Sequence, residues 1–226
     1  MVEREVKIRV SKDGPYEVSG RPALGRTAQV ETEYGEPIDW EPFEPIDAPE
    51  TFDLCRCGRS QRKPFCDASH QSCGFDGTEG TEVADRAPRA TRAEVYVGDG
   101  VVMTDDHTLC EHAGYCGDRF TNVWRMIRRT SDPEIRERLQ RMVSLCPSGA
   151  LDYARAEGAD PVEPVFEPSI AVIRDGPLWV RGGIPIESSD GTTYEVRNRV
   201  TLCRCGRSSN KPFCDGTHKE VEFRDG

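Results

Sequence analysis

One cysteine-bearing segment occurs twice in the chain, and any fold must build two equivalent sites from it. Residues 54–70 read LCRCGRSQRKPFCDASH and residues 202–218 read LCRCGRSSNKPFCDGTH, with every Cys and His in register. Upstream of each lies a second matching block, IRVSKDGPYEVSG at 8–20 and IAVIRDGPLWVRG at 170–182. The blocks are 33 residues apart in the first copy and 19 in the second. A match this long, in the same order both times, marks a duplicated module. Lys7–Val10 and Ala171–Ile173 read as strands running into the turns Asp13-Gly14-Pro15 and Asp175-Gly176-Pro177, and Trp179 and Val180 begin a return strand.

Three cysteines and one histidine carry the chemistry of each copy. Cys203 and Cys205 are two apart, so on an extended chain both thiols point the same way. Cys214 and His218 are four apart, as on one face of a helical turn, and Asp215 sits where an N-cap belongs. The site would then lie against a helix start, whose free N–H groups favour an anion. Cys55, Cys57, Cys66, His70 and Asp67 hold the same places in the first copy. Such a donor set suits a structural zinc as well as an iron–sulfur cluster, and spacing leaves both open.

Both copies resemble the CDGSH (mitoNEET-like) iron–sulfur family, whose pattern is Cys-x-Cys-x2-Ser/Thr-x3-Pro-x-Cys-Asp-Gly-x-His. Cys203, Cys205, Ser208, Pro212, Cys214, Asp215, Gly216 and His218 carry it in the second copy. Cys55, Cys57, Ser60, Pro64, Cys66, Asp67 and His70 carry it in the first, with Ala68 in place of the usual glycine. The resemblance implies a 2Fe–2S cluster in each copy. It also implies short strands with a cluster-bearing helical turn, built from two copies of the motif. With both copies in one chain, the expectation is an intramolecular pseudo-dimer and therefore a monomer. Histidine in place of a fourth thiolate makes each site less negative, so its potential should exceed that of an all-cysteine ferredoxin and should vary with pH. The motif segments are locally basic through Arg56, Arg59, Arg62, Lys63, Arg204, Arg207 and Lys211. Charge balance for an anionic cluster accounts for that, and docking of an acidic partner is the sharper reading.

Charged, proline-bearing stretches at 81–92 and 155–168 read as linkers around a segment of different character, 93–154. It contains CEHAGYC at 110–116 and Cys146-Pro147-Ser148-Gly149-Ala150-Leu151. A Cys-x2-Cys-x2-Cys run with a distant Cys-Pro is how ferredoxins hold a cubane cluster. Cys110 and Cys116 take the outer positions of such a run, and Ala113 replaces the middle cysteine. The segment resembles divergent single-cluster ferredoxins, which implies a cubane-type cluster on Cys110, Cys116 and Cys146. Three thiolates fit 3Fe–4S, or 4Fe–4S with a non-cysteine fourth ligand, for which His112 is nearest in sequence. Ser131-Asp132-Pro133-Glu134 reads as a capping box opening a helix to about Ser144, with Ile135, Leu139, Met142 and Val143 on its core face. Cys73 aligns with Val221 and reads as a half-buried strand residue, and His107 as a surface residue.

The expected fold is α+β, in small strand-rich modules: CDGSH-type modules at 1–80 and 169–226 around a ferredoxin-like α+β domain at 93–154. Ten cysteines behind the charged start MVEREVKIRV, which is not signal-like, read as metal ligands rather than disulfides. The net charge of −10 argues against a nucleic-acid binder, and no apolar run is long enough for a membrane span, so a cytoplasmic protein is expected. There is no Ser/His/Asp set, phosphate-binding glycine loop or Rossmann fingerprint. The chain therefore reads as an electron carrier rather than an enzyme. It would hold two 2Fe–2S clusters and one 3Fe–4S (or 4Fe–4S) cluster, and work between a reductase and an acceptor protein. The rival reading is cluster storage, transfer to apo iron–sulfur proteins, or redox and iron sensing.

Overall fold

In a computed structural model of the chain, residues 6–80 and 87–225 are described. The charged start (1–5) and half of the first linker (81–86) lie outside them. The first copy contributes β1 (Lys7–Val10), β2 (Tyr16–Ser19) and β3 (Ala23–Thr27). Its longer spacer forms a hairpin of β4 (Gln29–Glu31) and β5 (Pro37–Trp40) and the short β6 (Glu44–Pro45), before β7 (Phe52–Leu54) leads into Cys55. The middle segment contributes β8 (Glu94–Gly98), β9 (Val101–Asp105), α1 (Val123–Met126), α2 (Pro133–Ser144) and β10 (Leu151–Ala154). The second copy follows with β11 (Ser169–Ile173), β12 (Leu178–Arg181), β13 (Ile186–Glu187), β14 (Arg199–Leu202) and α3 (Thr217–Glu220).

The two copies exchange strands. One sheet has the order β13-β1-β2-β7 and the other β14-β12-β11-β3-β6. In each, a strand of the other copy lies parallel to the copy's own first strand: β13 against β1, pairing Ile8 with Ile186, and β3 against β11, pairing Ile170 with Leu24. Ile8 and Ile170 are equivalent in the repeat, and Leu24 and Ile186 stand at the same spacing beyond them. A parallel neighbour cannot come from a tight hairpin. Here the other half of the duplicated chain supplies it. Alternation along β1 turns Ile8 and Val10 inward and Lys7 and Arg9 outward. These join Tyr16, Leu54, Ile170, Val172, Leu178, Val180 and Leu202 in one apolar core shared by both sheets. Each such buried Leu or Ile contributes roughly 1.5–3 kcal/mol.

The middle segment is an antiparallel sheet, β10-β9-β8, with α1 and α2 packed on it over Val101, Met103, Val123, Met126, Leu139 and Val143. Its capping residue is Asp132, one position later than expected. Asp132 accepts a hydrogen bond from the Glu134 N–H (2.9 Å), and Pro133 opens the helix. Pro133 holds the residue before it in the extended region, which is what a cap requires, so Ser131 is left outside. Leu139 and Val143 are buried, while Ile135 and Met142 pack half-buried at the core's edge.

The extra residues of the first copy dock this insert. Gln29 on β4 donates to the Ala113 carbonyl (2.7 Å), Trp40 on β5 donates to that of Leu145 (3.1 Å), and Tyr115 donates to that of Asp39 (2.8 Å). The Trp40 ring sits 5.0 Å from Tyr115 and 4.7 Å from Trp179, joining all three segments. Among the described residues no helix is long and apolar enough to cross a membrane.

Candidate metal centres

In both copies the four expected donors stand as two close pairs. The sulfurs of Cys55 and Cys57 are 3.8 Å apart, and Cys66 Sγ is 3.4 Å from His70 Nδ1. The second copy repeats this with 3.7 Å between Cys203 and Cys205 and 3.3 Å from Cys214 Sγ to His218 Nδ1. None of these cysteines is paired in a disulfide. Within each pair the shared hydrogen bond lowers the Cys55 or Cys203 thiol and, together with burial, raises its partner Cys57 or Cys205.

The loops that aim these donors are pinned from inside. Ser60 and Ser208 donate to the Phe65 and Phe213 carbonyls (2.7 Å each), closing the turn before the third cysteine. Arg56 and Arg204, each between its two cysteines, are only 1% exposed. Arg56 donates to the Ser11 carbonyl (2.9 Å) and to that of Gly77. Arg204 donates to those of Ile173 (2.7 Å) and Gly176 (2.9 Å) and pairs with Asp225 (2.6 Å). Two of the basic residues of these segments are thus internal anchors and present no docking surface. Tyr16 of the first copy reaches across to the second site, donating to the Cys203 carbonyl (2.8 Å) and to that of Pro212 (3.0 Å).

The aspartates are not the helix caps. Gly216 (φ 87°) is the cap of α3, and Ala68 (φ 67°) that of the three-residue turn Ser69–Gln71 in the first copy. Asp215 lies one position earlier and accepts from the Thr217 N–H (3.0 Å) and from the Ser209 N–H (2.8 Å) and hydroxyl (2.7 Å). Burial works against it, yet these bonds hold its carboxyl down to about 2. Asp67 is likewise held low by Ser69 and Gln61. Ala68 accepts a left-handed backbone that costs a side-chain-bearing residue about 1–2 kcal/mol. Ala68→Gly should therefore raise the melting midpoint of the holo-protein by about 2–8 °C. Gly216→Ala should lower it, because its Cβ would fall 2.7 Å from His112 Cδ2 and 3.1 Å from the Glu111 carbonyl. Scanning calorimetry of both variants checks the pair.

The two sites differ in cover. Cys66 and His70 are half-exposed, whereas Cys214 and His218 are 2% and 7% exposed. Burial pushes the Cys214 thiol up and the His218 imidazole down to about 4. The cover is the middle segment itself, whose residues Glu111 and His112 lie against α3, with Lys219 donating to the His112 carbonyl (2.6 Å).

Cys110, Cys116 and Cys146 line a single cavity of about 280 Å³, with Asp105, His112, Trp124 and Ser148 on its wall. Ala113 lies on that wall too. Burial raises Cys110 to about 11 and Cys116 in the same direction, so a cation in the cavity would favour their thiolates. His112 has a left-handed backbone (φ 60°), its Nδ1 3.9 Å from Cys110 Sγ. His107 is exposed, as expected of a surface residue, while Cys73 is exposed in a turn and not half-buried in a strand. The aligned Val221 is likewise exposed in a turn, so the alignment holds and the strand reading of the shared position fails: in both copies the chain is still turning after the cluster-site helix.

The convergence of thiols on three sites agrees with comparison to known families. Residues 13–71 and 175–219 match the iron-binding zinc finger CDGSH type, and residues 96–156 match the divergent 4Fe-4S mono-cluster family. The chain is a tandem of CDGSH segments flanking a divergent 4Fe-4S segment. No curated protein matches it. It is an iron–sulfur protein, and the donor sets fit clusters: buried and half-buried cysteines, none in a disulfide, standing as Cys–Cys and Cys–His pairs in the CDGSH segments and lining one cavity in the middle segment.

Glu111 escaped sequence reasoning. It is 4% exposed, burial raises its carboxyl to about 8, and one of its oxygens has no hydrogen-bond partner among the described residues. Its only signal in the chain was adjacency to Cys110.

Proposed function

We propose that this CDGSH–4Fe-4S tandem protein is an electron carrier with a 2Fe–2S cluster at each Cys3His site and a cubane-type cluster at Cys110, Cys116 and Cys146. The observation that carries the reading is contact between the sites. Gly58 lies against the Cys205 backbone and Gly206 against that of Cys57, so the two CDGSH loops touch reciprocally. Cys110 lines the middle cavity while its neighbour Glu111 lies beside Cys214 and His218. One continuous fold thus sets the three cysteine-bearing sites beside one another, which supports the reading. The reciprocal strand exchange supports reading the two copies as an intramolecular pseudo-dimer, and the complete chain as a monomer.

When bound, the clusters supply one-electron exchange. The chain's own groups hold and tune them. Backbone N–H groups of Arg59, Ala68, Arg207 and His112 point at Cys57, Cys66, Cys205 and Cys110 sulfurs at 3.4–3.5 Å, which favours the reduced state. The three thiolates of the middle site support 3Fe–4S. His112 on the same wall, and the family match, support the second reading of 4Fe–4S with a nitrogen donor.

Iron and acid-labile sulfide analysis with EPR tests the assignment. Oxidised protein giving the isotropic 3Fe–4S signal supports the first reading of the middle site, and a cubane signal on reduction alone supports the second. Zinc in place of iron sinks the proposal. Rapid cluster delivery to an apo-ferredoxin, with no reduction by a ferredoxin reductase, would favour cluster transfer over electron carriage.

A further inference from the structure

Glu111, Cys214 and His218 place one donor atom each within 4.8 Å of one another, and all three residues are buried. Glu111 comes from the middle segment, and the other two from the second CDGSH motif. The carboxyl oxygen Oε2 has no partner among the described residues. The nearby Lys219 ammonium is engaged with the His112 carbonyl instead (2.6 Å). A buried carboxyl without a donor is costly unless a cation meets it. Among the described residues no acid converges in this way on Cys66 and His70.

We propose that Glu111 is a reserve oxygen ligand of the second CDGSH site, able to bind the iron held by Cys214 when the imidazole of His218 is lost. Iron accepts carboxylate as it accepts imidazole. The exchange breaks an iron–nitrogen bond and forms an iron–oxygen bond. It moves no electron, and any carboxyl proton goes to solvent. The ligand is built into the docking of the insert: the Cys110-Glu111-His112 loop that serves the middle site also closes over the second one. The two nominally equal sites then divide the work, the first open to exchange and the second retained. This rests on the assignment of 2Fe–2S clusters to the Cys3His sites.

The test compares full-length holo-proteins carrying His70→Ala, His218→Ala and His218→Ala with Glu111→Gln. Iron release to a chelator and EPR of the reduced protein are followed. His218→Ala is expected to keep a 2Fe–2S cluster at the second site, with altered g-values reporting the oxygen donor. Its release should be about tenfold or more slower than from the first site of His70→Ala. Adding Glu111→Gln should abolish that advantage, since a neutral amide of the same shape is a poor iron ligand. Equal release from His218→Ala with and without Glu111→Gln overturns the inference, as does release as fast as from His70→Ala. Should His218→Ala not fold, His218→Asn carries the same comparison. Wild-type protein without two 2Fe–2S clusters would refute the assignment itself, whereas normal wild-type clusters with indifference to Glu111→Gln refute only the reserve ligand.

Discussion

Replacing Arg199 with Met is expected to strip the middle site of its cluster and leave the first CDGSH site filled. Arg199 belongs to β14 of the second copy, yet its guanidinium reaches into the insert. It donates to the carbonyls of Val143 (3.1 Å), Ser144 (3.0 Å) and Cys146 (2.6 Å), and to that of Leu151 (3.1 Å). Its remaining edge pairs with Glu163 at 2.7 Å, and the side chain is only 1% exposed. The last carbonyls of α2 have no partner within the helix and here are met by one planar fork of donors. Cys146 follows one residue beyond the Leu145 cap, so the same contacts position a candidate cluster ligand. Met matches the volume but supplies no donor: the Val143 and Cys146 carbonyls keep only backbone N–H bonds of 3.2 and 3.4 Å, and Glu163 keeps only the Asn198 amide at 3.2 Å. Glu163 is partly solvated, so the cost should be about 1–3 kcal/mol, as for buried acceptors that lose their donor. Arg199→Lys should recover only part of this, since one ammonium cannot span the fork. Iron and sulfide per chain, with calorimetry, check the prediction. A variant with full iron content and an unchanged melting midpoint would falsify it.

The donors themselves were legible because a repeat with cysteines in register needs no knowledge of the fold. The same holds for β1, β2, β11 and β12, whose patterns are local, and for α2, whose proline and acidic start announce it. What stayed hidden was set by distance along the chain. Arg199 and Glu111 were not singled out because their partners lie in other segments. Arg56 and Arg204 read as charge balance for the cluster or as docking charge because nothing local tells a buried guanidinium from a solvated one; their carbonyl partners are Ser11 and Gly77, and Ile173 and Gly176. The 33-residue spacer showed only its extra length in the sequence, and its role as the hairpin that grips the insert appears only once Gln29 and Trp40 meet Ala113 and Leu145. Local cap rules misplaced Asp215 and Ser131 by one residue each. In both cases the neighbour, Gly216 or Pro133, determines the backbone angles at the boundary.

Gly58→Ala and Gly206→Ala should each cost both CDGSH segments their iron, although each changes only one loop. Gly58 has φ +76° and its Cβ would fall 2.7 Å from the Cys205 carbonyl oxygen; Gly206 has φ +77° and its Cβ would fall 2.7 Å from that of Cys57. The colliding atoms are backbone, so the neighbour cannot swing aside as a side chain would. The loop must retreat, and with it the cysteine that bears the clashing carbonyl. Left-handed strain adds about 1–2 kcal/mol at the substituted position itself. One substitution therefore displaces the ligands of its own site by strain and those of the opposite site by collision. Gly35→Ala separates the two effects, because Gly35 has φ +75° but nothing within 4 Å of its Cβ. It should lose a similar 1–2 kcal/mol, roughly, and keep its full iron content. Visible circular dichroism and iron per chain would show the CDGSH clusters falling together in the first two variants and unchanged in the third. Loss confined to the substituted loop would mean that the two sites are neighbours without mechanical coupling. Joint loss would make the contact of Gly58 and Gly206 with the opposite cysteines the element that lets neither site form alone.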